Sequence, residues 1–78
     1  MVASGRTPEA ILGSEIARLR KRLGISQEEL AFRVEVHRTY VSQLERGLKC
    51  PTLKVILKLS KALGISGGRL VEEVEKQL

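Results

Sequence analysis

Leu12, Ile16, Leu19 and Leu23 recur at three- and four-residue steps, the period of a helix with one apolar face. Thr7-Pro8-Glu9 reads as the start: Thr as N-cap, Pro at the first helical position, an acid in the first turn. Ile11 extends the apolar face. Gly13 interrupts it and sets the firm start nearer Ser14, and Gly24 closes the segment. Ser26-Gln27-Glu28-Glu29 has the form of a capping box with Glu29 at N3. Leu30, Ala31 and Val34 follow as the inner face of a short second helix. A three-residue break, Glu35-Val36-His37, precedes a third helical segment that Gly47 closes.

Pro51-Thr52-Leu53 leads into a fourth helix with a broad stripe of Leu53, Ile56, Leu57, Leu59, Ala62 and Leu63, closed by Gly64. Ser66 caps a fifth that carries Leu70, Val71, Val74 and Leu78. "LGIS" occurs twice, at Leu23 to Ser26 and Leu63 to Ser66. This is repeated punctuation rather than a repeated domain: last core residue, closing glycine, apolar clasp, next N-cap. The pattern predicts an all-α chain, five short helices in one domain over 1–78. Residues 1–7 form a short flexible start, and helices four and five span about 52–76.

Composition narrows the core. Of 78 residues, 42% are apolar and only 3% aromatic, so packing must be aliphatic. A chain this short buries roughly 60% of its unfolded surface. The lone Cys50 excludes an internal disulfide, and no CxxC or Cys/His cluster suggests a metal. The expectation is a cytoplasmic protein with no cofactor. No apolar run approaches the ~20 residues of a membrane helix, and the start lacks the apolar stretch of a signal peptide. No membrane association is expected.

The net charge is +5, with Arg18 to Lys61 holding eleven Lys/Arg against four Glu. A basic middle suits a polyanion. An ordinary solvated lysine surface would look the same, and charge alone does not decide.

The third segment does. With Arg38 at zero on a helical wheel, Thr39, Ser42, Gln43 and Arg46 fall at about 100°, 40°, 140° and 80°. Tyr40, Val41 and Leu44 fall opposite, at about 200°, 300° and 240°. One face is rich in donors and short side chains, with no acid until Glu45 at its edge. Solvated faces are usually laced with Glu–Lys pairs. A DNA major groove is matched better: Arg bonds guanine bidentately, Gln bonds adenine, and a Thr methyl touches thymine. A short helix, a three-residue break and this reader, over about 26–46, make helix-turn-helix geometry.

"LGISQEELAFRVEVHRTYVSQLERG" and "PTLKVILKLSKALGIS" resemble the Xre/Cro-type family of phage and bacterial repressors over about Ile16 to Leu70. "HRTYVSQLERG" is especially similar to the controller proteins of restriction–modification systems. The resemblance implies a compact five-helix bundle of the lambda-repressor-like type. It implies base contacts from Arg38, Thr39, Ser42 and Gln43. Phosphate contacts would come from Gln27, at the N-terminus of helix two, and from Tyr40, Arg46 and Lys49. His37 is either an N-terminal cap or a further phosphate contact, with a pH sensor as the lesser alternative.

Arg20 and Glu45 match a family pair that forms a structural salt bridge beneath the reading surface. Losing one partner of a buried pair costs ~3–5 kcal/mol, so Glu45→Ala is expected to destabilise more than it alters specificity. Two departures stand out. Glu35 occupies the family's usual glycine at the end of helix two. A left-handed conformation there would carry roughly 1 kcal/mol of strain; a reshaped turn would instead move Arg38. Cys50 replaces a frequent asparagine, as a half-buried filler or, alternatively, a redox switch.

The expected function is a transcriptional regulator, a repressor or an activator, binding a near-palindromic operator in double-stranded DNA as a homodimer. Ile65, Leu70 and Val74 are the expected dimer interface. The alternative is a protein-interaction module, an antitoxin or a subunit of a larger complex, with a protein partner of unknown kind. Catalysis is not expected. The single histidine has no nucleophile or metal context, and Gly67-Gly68 lacks the strand and lysine of a phosphate loop.

Overall fold

Helix α1 runs unbroken from Pro8 to Arg22 with Gly13 inside it, in the computed structural model, which describes residues 6–78. The firm start is therefore Pro8 rather than Ser14. Thr7 Oγ1 accepts the Ala10 N–H at 3.1 Å, and Arg6 reaches Ala10 O and Ser14 Oγ. Of the flexible start expected over 1–7, residues 1–5 lie outside the described residues. Arg6 and Thr7 are engaged with the helix.

Gly13 survives mid-helix for a tertiary reason. A Cβ there would collide with the carbonyl oxygens of Leu44 and Glu45. The glycine lets α1 lie against the C-terminal end of α3, which packing rewards beyond the ~1 kcal/mol of lost propensity.

The remaining helices are α2 (Gln27–Val34), α3 (Arg38–Glu45), α4 (Leu53–Leu63) and α5 (Gly67–Lys76). No strand occurs among the described residues. Ser26, Thr52 and Ser66 each accept the N–H of the residue three ahead, at 3.0–3.2 Å. The reciprocal half of the capping box is not used, because the Glu29 carboxylate takes Arg33 Nε at 2.8 Å instead.

Helices α1 to α4 end alike. A residue in left-handed conformation follows each, and the next N–H reaches back five residues: Ile25 to Arg20 O, Val36 to Ala31 O, Leu48 to Gln43 O and Ile65 to Ser60 O. Gly24, Gly47 and Gly64 fill three of these positions. Glu35, at φ 61°, ψ 44°, fills the fourth. Gly47 has a second constraint, since a Cβ would come within 2.7 Å of Ala10 Cα.

α1 packs on α3, α4 and α5, and α2 packs on α3 and α4. Ile11, Ile16 and Leu19 of α1, Leu30 and Val34 of α2, and Val41 and Leu44 of α3 are wholly or almost wholly buried. Leu59 and Leu63 of α4 and Leu70 of α5 complete an aliphatic core. Each such side chain contributes about 1.5–3 kcal/mol.

Two expectations are corrected here, for Leu70 with Val74 and for Cys50. Leu70 is fully buried and Val74 is 9% exposed, so both are consumed by the protomer's own core and offer no free face. Within the α4 stripe, Leu53 and Leu57 turn to solvent, 71% and 53% exposed, while Leu59 and Leu63 point inward. Cys50 is exposed rather than half-buried.

Candidate nucleic-acid interface

The α2–α3 turn is built by two local devices. Glu35 reverses the chain in left-handed conformation, and half-buried Val36 clasps it to the core. His37 then caps α3, its Nδ1 accepting the Thr39 N–H at 3.0 Å. With Nδ1 as acceptor, a neutral ring carries its proton on Nε2, which leaves a donor at the helix N-terminus.

α3 is anchored by Val41 and Leu44, fully buried, and by half-buried Tyr40. Arg38 and Thr39 are exposed, and Ser42 and Gln43 half-exposed. Gln27, at the first position of α2, comes beside this face. With Arg38, Thr39 and Ser42 it lines one polar depression of about 160 Å3. Arg46 lies at the C-cap of α3 with Nε 3.4 Å from Ser42 O, and Lys49 is exposed in the following loop.

Beneath the face sits a charge network. Arg20 Nε and Nη2 donate to Glu45 Oε2 and Oε1 at 2.6 and 3.0 Å. Arg20 Nη1 donates to Ile25 O at 2.9 Å. The two side chains are only 11% and 6% exposed. Hydrogen bonding to Glu45 raises the Arg20 guanidinium above its ordinary pKa. Glu45 is thereby turned inward, and the exposed arc of α3 carries no acid. Gln27 Nε2 also donates to Glu45 Oε1, at 2.9 Å. The spacing along the chain gave no signal of that bond.

Ile65, expected at a dimer face, is half-buried against the core. Exposed apolar surface lies elsewhere on the last two helices: Leu53 and Leu57 on α4, Val71 on α5 and the terminal Leu78. An apolar groove of about 170 Å3 between α1, α4 and α5 is lined by Leu12, Cys50, Ile56 and Val71, among others. The missed residues carried a signal, since Leu53, Leu57 and Val71 were in the apolar stripes. Those stripes are simply wider than the core needs. No grouping of three or more potential metal ligands occurs among the described residues, and no helix there is long and apolar enough to cross a membrane.

Comparison with known proteins agrees with this geometry. A family model described as Helix-turn-helix matches residues 16–70. The control protein C.BamHI of Bacillus amyloliquefaciens is 40% identical over 63 residues, covering 80% of this chain and 78% of that protein. The crystal structure of the restriction–modification controller protein C.AhdI from Aeromonas hydrophila superposes with a TM-score of 0.75 and 41% identity, over 78% of this chain and 92% of that one. SinR, a master regulator of biofilm formation solved in complex with DNA, superposes at 0.72 with 34% identity, over 77% and 97% of the two chains.

Proposed function

The chain belongs to the Helix-turn-helix family of DNA-binding transcriptional regulators, and from that membership we propose that it reads a near-palindromic operator as a homodimer, in the manner of a restriction–modification controller protein. α3 enters the major groove. Arg38, Thr39, Ser42 and Gln43 contact base edges, and Gln27, His37, Tyr40, Arg46 and Lys49 hold phosphates. The carrying observation is the acid-free exposed face of α3, with Arg38, Thr39 and Ser42 sharing one polar depression with Gln27 of α2. The comparisons supporting a controller role are the C.BamHI and C.AhdI matches. Such a regulator works in the cytoplasm.

A near-palindrome requires two copies with recognition helices about 34 Å apart. The exposed Leu53, Leu57 and Val71 supply an apolar face on the side chains of α4 and α5. This face is assigned to a second copy, in place of the Leu70 and Val74 contacts. The alternative of a foreign protein partner draws on the same face. It predicts that the isolated protein is monomeric and that replacing Arg38 is without consequence.

The test is capture of fragmented genomic DNA by the purified protein at physiological salt. The expected result is enrichment of a few fragments sharing two related half-sites about one helical turn apart. Uniform retention of all fragments would contradict it, because phosphate contact alone is indifferent to sequence.

A further inference from the structure

We propose that Glu45 is a positioning residue for DNA binding, acting through Gln27. Its single carboxylate ties the phosphate-holding end of α2 to the base-reading helix α3. The inference rests on the DNA-binding reading above and adds to it the device that sets the distance between the two contacts.

Three donors converge on this carboxylate. Arg20 of α1 occupies both oxygens, and Gln27 Nε2 takes a second place on Oε1 at 2.9 Å. A carboxylate accepts only, so the Gln27 amide must present its nitrogen to Glu45. One amide N–H is thereby spent, and the other N–H and the carbonyl remain for the depression shared with Arg38, Thr39 and Ser42. A long, flexible glutamine is fixed before DNA arrives, and its ordering cost is met on folding rather than on binding. Arg20, in turn, is fixed to the α1–α2 loop through Ile25 O. The carboxylate thus joins α1, α2 and α3 at one point. It is 6% exposed, so water competes little for these bonds.

A purely structural salt bridge needs only Arg20 and Glu45. A positioning residue makes the effects of Glu45 and Gln27 on DNA affinity interdependent. The experiment measures binding of a selected duplex by the wild type, Gln27→Ala, Glu45→Gln and the double variant, at a temperature where circular dichroism shows all four folded. Each single change is expected to weaken binding about tenfold, the scale of one hydrogen bond to a charged group. The double variant is expected to be no weaker than the worse single, with the preferred duplex sequence unchanged. Losses that multiply, or a folded Glu45→Gln that binds as the wild type does, would overturn the proposal.

If Glu45→Gln does not fold, a measurement on the wild type alone decides. In free protein the side-chain amide of Gln27 is expected to be more ordered by NMR relaxation, and slower to exchange its protons, than that of Gln43. Equal mobility of the two would overturn the proposal. A wild type that binds no duplex at any salt overturns the DNA reading and this inference together, whereas multiplying losses overturn this inference alone.

Discussion

Gly13 of α1 lies directly beneath the Leu44 carbonyl of α3, with no room for a side chain between them. This contact brings α3 against α1, and Gly47 repeats the close approach against Ala10 just after α3 ends. Gly13→Ala, which would stabilise an exposed helix, is expected to destabilise this protein by about 2 kcal/mol, or roughly 10 °C in Tm. A thermal melt checks it, and a raised Tm would show that the two backbones separate freely.

Glu35 is the only non-glycine residue with positive φ among the described residues. Its left-handed conformation costs about 1–2 kcal/mol, part of which glycine's greater unfolded-state entropy cancels. The Lys58–Glu35 pair at 3.3 Å is exposed on both sides and contributes little. Glu35→Gly is therefore expected to raise Tm by a few degrees without changing the preferred DNA sequence. Paired melts and binding curves test both parts.

Glu15 is almost buried and bonded to Arg18 Nη2 at 2.8 Å. That bond, aided by Coulombic attraction to Arg18 and opposed by burial, lowers the Glu15 carboxyl pKa below its ordinary 4.5. A carboxylate whose pKa falls on folding stabilises above its unfolded value and loses that contribution as pH drops through the folded one. Glu15→Gln should melt below the wild type at pH 7, with the gap closing as pH falls below about 4.5. A gap that persists unchanged under acid would assign the effect to packing.

Leu53→Glu combined with Val71→Glu places charge on the exposed face of α4 and α5. Neither residue is part of the buried core, so helix content is expected to hold. Sedimentation should change from dimer to monomer, and cooperative binding to a two-half-site duplex should be lost. An unchanged dimer would move the interface elsewhere.

Much of this architecture was legible in the residues, because each helix start and stop is a local event. Thr7, Ser26 and Ser66 cap the helices expected of them, and the break Glu35-Val36-His37 falls where the apolar period stops. Tertiary facts were less accessible. Gly13 reads locally as a helix breaker, and only α3 above it explains its presence. Leu53 and Leu70 look equivalent as apolar residues on short amphipathic helices, yet one is 71% exposed and the other 0%. Periodicity finds a face but not how much of it the neighbouring helices cover. The Gln27–Glu45 bond joins residues 18 apart in sequence, and no local pattern encodes it.

The proposed base readout by α3 depends most on Arg38. Selection from a random duplex pool at physiological salt, by the wild type and by Arg38→Ala in parallel, tests it most directly. One two-fold-symmetric motif is expected for the wild type. In the variant, base preference should be lost at one position of each half-site, at a cost of about 1–3 kcal/mol. Weak retention without any motif, steeply salt-dependent and equal for both proteins, would mean that the basic middle of the chain acts only as general charge and would contradict it.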